Sequence, residues 1–295
     1  MTNKNFVNGI FSTLAGAILW GLSGACGEFL TGNGMTASYV TPLRLLSAGV
    51  ILIVFALVTQ RNKLFELFCT PKDLAVAVLF GVLGVLPSQF FYLATIEHSN
   101  AGTATVLQYT GPAMIIVYMC IRHRRMPNKI ELISLFLAMG GVYVIATHGN
   151  PAGLAISSET LAFGMLAALA LVCYTLIPEK LTPRYGSVIV TGVGMLCSAC
   201  LTVPLMHPWT ADVTWTSGSF LAFSAMVILG TVFAYTLYVK GVGAIGSSKA
   251  SMISCVEPVS AALFSALWFS TAFTIADYIG FMMILATVIM LGKQK

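Results

Sequence analysis

Two charged side chains lie deep inside apolar stretches of this sequence, where charges are rare. Glu257, followed by Pro258, interrupts residues 246–268, and Arg44 interrupts residues 36–58. At 1.5 Å per helical residue, Glu257 would lie about 16 Å and Arg44 about 12 Å from one end of its stretch. A charge at the centre of a bilayer costs about 2.5–3.5 kcal/mol on insertion scales, so it usually faces a cavity or a partner. Several interpretations stay open: a substrate or proton site, a structural ion pair, or a carboxyl group that caps backbone groups left free by Pro258.

The chain carries an internal duplication. An offset of 146 positions sets Tyr92 on Tyr238 and Pro112 on Pro258 without a gap. The same offset also sets Gly84 on Gly230, Ala104 on Ala250 and Glu131 on Asp277. Earlier stretches repeat more faintly, with an offset near 151 that sets Trp20 against Leu171 and Ser23 against Tyr174.

Small and polar residues share a helical face with Glu257, among them Ser251 and Ser254, and Gln108 lies on the corresponding face of the first copy. Such faces allow close helix packing or line a polar cavity. Aromatic and polar groups in other apolar stretches either form a pocket for a planar or cationic ligand or pack in the core; they are Trp20, Gln89, Tyr92, Tyr109, Tyr174, Tyr235 and Tyr238. The candidate binding residues are Glu257, Arg44, Gln108, Ser254, Tyr92, Tyr238 and Trp20.

Pro112 and Pro258 fall at equivalent positions of the two copies. A proline inside a helix removes one backbone hydrogen bond and clashes with the preceding turn. We therefore predict kinks at both positions, which would act as hinges beside a binding site or be plain helix bends.

The composition indicates a polytopic membrane protein. The 295 residues are 58% hydrophobic and 8% charged, with a mean hydropathy of +0.91, whereas soluble domains carry about 25% charged residues. The net charge of +5 is spread over short breaks, so we expect no nucleic-acid partner. Most of the cysteines lie in apolar stretches, and we expect no metal and no cofactor.

Ten stretches are long enough to span a bilayer: about 9–30, 36–58, 73–96, 100–121, 128–147, 158–178, 186–206, 217–240, 246–268 and 274–292. Alternate breaks, at 31–35, 97–99, 148–157, 207–216 and 269–273, contain no Lys or Arg. Positive residues mark the cytoplasmic side, so both termini are predicted to be cytoplasmic.

The ten spans divide into two repeats of five. An odd number of spans makes the second repeat enter the membrane from the opposite side, which gives the inverted topology of many transporters. We predict a first repeat at 1–147, an external linker at 148–157 and a second repeat at 158–295. The fold class is therefore all-α integral membrane, with ten transmembrane helices in two inverted repeats.

Several motifs together resemble the EamA branch of the drug/metabolite transporter superfamily. They are Ala-Ile-Leu-Trp-Gly at 17–21, Arg44, residues 101–112 and residues 249–262 with their Glu-Pro. Residues 95–100, 147–151 and 249–258 are most similar to YicL-type inner-membrane members. This resemblance implies a central cavity and the transport of small metabolites such as amino acids, amines or drugs, often as export.

The expected function is secondary active transport of a small molecule across the cell (inner) membrane, as export by alternating access, with proton coupling as an option. A passive channel is the alternative, although no ring of charges or filter sequence is present. Gly-Leu-Ser-Gly at 21–24 resembles the nucleophile motif of an intramembrane serine protease, but no histidine lies within a span to act as its base. We therefore expect no enzyme activity. The sequence leaves the oligomeric state open, with a homodimer as one alternative.

Overall fold

The computed structural model describes residues 3–98, 101–147, 157–269 and 275–292, and the regular elements within these ranges are all helical. The predicted linker at 148–157 lies almost entirely outside the described residues. Only Ser157 of that segment is described, and its hydroxyl oxygen accepts a hydrogen bond from the backbone N–H of Thr160 at 3.2 Å, which caps the helix that follows.

The helices up to residue 147 range from 8 to 30 residues in length. Between α4 and α5 the chain continues through a π-helical segment, Phe80–Val85, instead of ending. The helices are α1 (Asn3–Gly32), α2 (Ala37–Thr59), α3 (Arg61–Cys69), α4 (Pro71–Leu79), α5 (Leu86–His98), α6 (Ala101–Gln108), α7 (Gly111–Arg122) and α8 (Lys129–Thr147).

The helices from residue 158 onward follow a similar order. A second π-helical segment, Ile228–Phe233, joins α12 to α13, and a 3-10 turn, Ser254–Val256, joins α14 to α15. The helices are α9 (Ser158–Leu176), α10 (Thr182–Tyr185), α11 (Ser187–Met206), α12 (Ser217–Val227), α13 (Ala234–Ile245), α14 (Ser247–Ile253), α15 (Glu257–Phe269) and α16 (Ile275–Gly292).

Six helical stretches in the described ranges are long and apolar enough to cross a membrane: Asn5–Gly32, Ala37–Thr59, Pro71–His98, Ser158–Glu179, Ser187–Met206 and Ser217–Ile245. The predicted spans 100–121 and 246–268 are each divided into shorter helices, so neither forms one long helix. The count of ten spans remains a prediction.

The two divided helices break at equivalent positions. Tyr109 and Thr110 separate α6 from α7, and the 146-residue offset sets them on Cys255 and Val256 in the 3-10 turn before α15. Pro112 and Pro258 then lie in the first turn of the following helix, where the missing N–H would have no helical partner. Each proline therefore lies at the start of a new helix. The helix is interrupted just before the proline, where a kink within one continuous helix was predicted.

Both π-helical segments contain a glycine that allows close helix contact. A Cβ added to Gly84 would lie 2.8 Å from the Cα atom of Tyr174, and one added to Gly230 would overlap the side chain of Ser23. The duplication aligns Gly84 with Gly230 and Ser23 with Tyr174. The same glycine contact is therefore made twice, once by each copy.

The most extensive helix contacts join an element before residue 147 to one after residue 158: α2 with α11, α1 with α13, α8 with α16, and α5 with α9. An ion-pair cluster adds a further link near the basic chain breaks. Arg184 of α10 contacts Asp73 of α4 at 2.7 Å and Glu66 of α3 at 2.9 Å, and the hydroxyl of Tyr185 donates to Asp73 at 2.6 Å.

Candidate functional site

A small cavity of about 40 Å³ lies where the broken helices meet the long ones. Residues from before position 147 and from after position 158 both contribute to its wall, so the cavity depends on both parts of the chain. The lining residues are Trp20, Ser23, Arg44, Ser88, Gln89, Tyr92, Gln108, Leu171, Tyr174, Tyr235 and Glu257.

Arg44 is almost fully buried, with 3% of its surface exposed, and it is held by neutral groups. Its Nε donates to the Thr231 hydroxyl at 2.6 Å, and its Nη2 donates to the Ser23 hydroxyl at 2.9 Å and to the Gly230 carbonyl oxygen at 3.3 Å. The guanidinium also lies 5.9 Å from the centre of the Tyr235 ring, within the range of a cation–π contact.

The π-helical segment Ile228–Phe233 supplies two of these acceptors. Widening a helix by one residue per turn shifts the backbone hydrogen bonds, and the Thr231 hydroxyl donates to the Met226 carbonyl oxygen, five residues earlier, at 2.7 Å. The Thr231 oxygen can then accept from Arg44. The segment therefore fixes the orientation of the buried guanidinium without a carboxylate.

Glu257 opens α15 and is also buried, with 7% of its surface exposed. The Tyr109 hydroxyl lies 3.0 Å from Oε2 of Glu257 and makes a very short hydrogen bond to the Ser254 carbonyl oxygen. A phenol carries one proton, and a carbonyl oxygen can only accept. A proton on Glu257 would therefore let the carboxyl donate to Tyr109 while Tyr109 donates to Ser254.

Arg44 and Glu257 line the same cavity, but these two described side chains form no ion pair within 4.0 Å. The structure thus brings together the two charges that the sequence singles out, without the direct pairing that one interpretation required. Each also keeps an atom with no hydrogen-bond partner among the described residues: Nη1 of Arg44 and Oε1 of Glu257.

Aromatic rings form one wall of the cavity. The ring centres of Trp20 and Tyr235 are 5.0 Å apart, and those of Tyr174 and Tyr235 are 5.1 Å apart, both in edge-to-face arrangements. Tyr238 lies behind this wall and is fully buried. Its ring centre is 4.7 Å from that of Trp20, and its hydroxyl oxygen lies 2.9 Å from the Thr175 hydroxyl oxygen.

Polar side chains line the remaining wall. The Tyr92 hydroxyl lies 3.2 Å from the Thr105 hydroxyl, and Gln108 contributes an amide. Gln89 is 1% exposed, and neither its amide nitrogen nor its amide oxygen makes a well-formed hydrogen bond with a described residue. The indole N–H of Trp20 is similarly buried and unpaired in the described part of the chain.

Of the predicted binding residues, Glu257, Arg44, Gln108, Tyr92 and Trp20 line the cavity. Ser254 and Tyr238 do not line it. Ser254 donates its hydroxyl to Ser251 at 2.7 Å and contributes only its carbonyl oxygen to the Tyr109 contact. The sequence analysis did not select Ser23, Ser88 or Leu171 as binding residues. The faint repeat aligns Ser23 with Tyr174, which also lines the cavity.

Ser23, the serine of the protease-like motif, accepts a hydrogen bond from Arg44. An arginine stays protonated and so cannot act as the general base that a serine nucleophile needs. In the described ranges, no group of three or more His, Cys, Asp or Glu side chains could hold a metal ion.

This chain is similar to known membrane transporters. The model of the EamA-like transporter family matches residues 7–147 and 159–293. The "Uncharacterized inner membrane transporter YicL" of Salmonella typhimurium strain LT2 is 36% identical over 288 residues, which cover 97% of this chain and 96% of that protein. The "Threonine/homoserine exporter RhtA" of the same strain is 24% identical over 225 residues, covering 76% of this chain and 71% of that protein.

One solved crystal structure superposes with a TM-score of 0.76 at 17% identity, covering 95% of both chains, and therefore has the same fold. The family match extends over most of the sequence, and the similarity to YicL extends over nearly all of it. The chain belongs to the EamA-like transporter family and is a multi-pass membrane protein.

Proposed function

We propose that this protein is a secondary active transporter that exports a small metabolite, of the amino acid, amine or drug classes, across the cytoplasmic membrane. The observation that carries the proposal is the cavity whose wall combines Arg44 from α2 with Glu257 from α15. Buried charges that face a cavity in a membrane protein mark substrate or ion pathways. The names of its relatives, an inner membrane transporter and an amino acid exporter, support both the location and the direction.

The proposed architecture has ten spans in two inverted repeats, at 1–147 and 158–295, with both termini in the cytoplasm. Three observations support the repeats: the aligned helix breaks, the paired π-helical segments, and the two glycine contacts at Gly84 and Gly230. The orientation rests on the absence of Lys and Arg from alternate chain breaks.

In the proposed cycle, the two repeats move relative to each other about the breaks at Pro112 and Pro258. Each break ends one helix and begins another, so a change of backbone angles there disrupts only the few hydrogen bonds that cross the break, such as that from the Thr110 N–H to the Leu107 carbonyl oxygen. Glu257 would then meet water from alternate sides of the membrane. Its carboxyl group would carry a proton in one state and contact substrate in the other, which couples transport to a proton gradient.

Purified protein in liposomes tests this function directly. Radiolabelled amino acids, amines and cationic drugs are offered with and without an imposed pH gradient. The proposal expects saturable movement of at least one class, driven against its concentration gradient by the pH gradient. Flux that never saturates and only runs downhill would instead support a channel, and no flux of any class would contradict the transport function.

A further inference from the structure

A second and larger space, a groove of about 620 Å³, lies between the start of α1, the junction of α10 with α11, and one face of α13. On α13 it is lined by Leu237 and Lys240, among others. The central cavity touches α13 through Tyr235. Lys240 follows Tyr235 by five residues, or about 140° around a helix of 3.6 residues per turn. The groove is therefore separate from the cavity and lies on another face of α13.

Lys240 brings a positive charge into this groove. It is exposed and lies within Ser217–Ile245, a helical stretch apolar enough to cross a membrane. Among the described residues it forms no ion pair within 4.0 Å, and the groove lining contains no Asp or Glu. Arg184, at the nearby chain break, is by contrast paired with Glu66 and Asp73. The charge of Lys240 is thus left for a ligand.

The depth of Lys240 matches the headgroup layer of a bilayer. Ser217–Ile245 has 29 residues, which at 1.5 Å each span about 43 Å, whereas the hydrocarbon core is about 30 Å thick. A centred helix of this length extends about 7 Å beyond the core at each end. Lys240 lies five residues, or about 7.5 Å, before the last residue. Its ammonium group, on a flexible stem, therefore reaches the level of the lipid phosphates.

Other hydrogen-bond donors line the same groove. Ser187 and Val188 form the first turn of α11, a 20-residue helix whose N-cap residue, Gly186, supplies no side-chain cap. Backbone N–H groups at such a helix start lack helical partners and favour an anion. Thr236 also lines the groove, and its buried hydroxyl has no hydrogen-bond partner among the described residues. Positive charge and unused donors are therefore combined in one space.

We propose that this groove binds the headgroup of one anionic glycerophospholipid, with its phosphate between the ammonium group of Lys240 and the first turn of α11. A lipid is favoured over a soluble phosphate because Lys240 is exposed on a membrane-crossing stretch at headgroup depth. In the proposed orientation, the lipid belongs to the cytoplasmic leaflet. The proposal does not depend on what the central cavity carries.

The other lining residues select the type of headgroup. The side-chain amides of Asn5, Asn8 and Gln60 offer both donors and acceptors, which match the hydroxyls of a glycerol headgroup. A headgroup with its own ammonium group would find no carboxylate in the lining. Leu237 and Val188 add apolar surface for the glycerol backbone and the start of the acyl chains. Phosphatidylglycerol therefore fits the groove better than phosphatidylethanolamine.

Native mass spectrometry of the purified, delipidated full chain tests the proposal. Phosphatidylglycerol and phosphatidylethanolamine with the same acyl chains are titrated separately, and inorganic phosphate and glycerol phosphate are added as soluble competitors. We expect one phosphatidylglycerol to bind about 5-fold more tightly than phosphatidylethanolamine, the effect of one basic side chain on an anionic lipid. The soluble phosphates should not displace it.

Three variants assign the preference to Lys240. Lys240→Gln should bind both lipids equally, whereas Lys240→Arg, which keeps the charge, should retain the preference. Lys72→Gln is the matched control, because Lys72 is an exposed lysine at the same side of the protein but outside the groove lining. It should bind as the wild type does.

Equal binding of the two lipids by the wild type would overturn the proposal without any variant. An unchanged preference in Lys240→Gln, or an equal loss of preference in Lys72→Gln, would overturn it as well, since the attraction would then come from the general surface charge. Displacement of the lipid by inorganic phosphate or glycerol phosphate would assign the groove to a soluble phosphate compound and contradict the lipid site.

Discussion

The hydroxyl of Tyr109 lies 3.0 Å from Oε2 of Glu257, although 148 positions separate the two residues in the sequence. This contact joins the break between α6 and α7 to the start of α15. The same hydroxyl also makes a hydrogen bond to the Ser254 carbonyl oxygen. One side chain therefore links the break in the first divided helix to the aligned break in the second.

Removing this hydroxyl by Tyr109→Phe should destabilise the fold. The buried carbonyl of Ser254 and the carboxyl of Glu257 would each lose a partner, which costs about 1–3 kcal/mol for a buried polar group. We expect a lower unfolding temperature in detergent. Tyr118→Phe is the matched control, because Tyr118 is 43% exposed. Equal unfolding temperatures for both variants would show that the Tyr109 contact does not stabilise the fold.

Gly230→Ala should weaken the contact between α1 and the second π-helical segment. The new methyl group would overlap Ser23, and such overpacking costs about 1–3 kcal/mol. Since Ser23 and Gly230 both hold Arg44, substrate uptake should fall together with the unfolding temperature. Gly32→Ala is the control, because a Cβ added there meets no atom within 4 Å. Normal uptake and stability in Gly230→Ala would contradict the close approach.

Arg184→Glu should open the cavity toward the side that carries the basic chain breaks. The substitution turns attractive contacts with Glu66 and Asp73 into like-charge repulsion, although exposed ion pairs contribute little to stability. The measurement is labelling of Ser88→Cys, at the cavity wall, by an impermeant thiol reagent in inside-out vesicles, with the native cysteines replaced. Faster labelling is expected, and Glu66→Arg with Asp73→Arg should reverse it. An unchanged labelling rate would mean that the cluster does not control access.

The predicted orientation can be tested outside the cavity. A cysteine at Ala152 should react with an impermeant reagent from outside intact cells, and tags on both termini should be accessible only from the cytoplasm. The basis is the charge asymmetry of the chain breaks. Labelling of Ala152→Cys only after the cells are opened would reverse the topology.

The sequence predicted that Arg44 and Glu257 lie deep inside helical stretches but not how their side chains are held. Residue counts along a helix give the depth of Arg44 and Glu257, and both line one cavity, yet depth alone does not fix their lateral separation. The direct ion pair considered in one interpretation is therefore absent between these two described residues. Their helical face also suggested Ser254, but the 3-10 turn at Ser254–Val256 changes the helical period there and directs its hydroxyl to Ser251.

The hydrogen bonds that hold Arg44 depend on the backbone register of a π-helical segment. Such a segment leaves no periodic pattern in the sequence. Gly230 was visible as a repeated glycine, but the acceptor roles of Gly230 and Thr231 were not. The aligned breaks before Pro112 and Pro258 are more accessible to prediction, because each proline disturbs the helical turn that precedes it.

The most direct test of the account is the transport activity of Glu257→Gln in liposomes, measured at saturating substrate with and without a pH gradient. Glutamine keeps the size and hydrogen-bonding capacity of the side chain but cannot exchange a proton in this range. Glu28→Gln is the matched control, because Glu28 is an acid of α1 outside the cavity lining. The account predicts that Glu257→Gln folds and inserts but loses pH-gradient-driven accumulation, while Glu28→Gln retains it. Full gradient-driven accumulation by Glu257→Gln would contradict the account and leave Glu257 with a structural role.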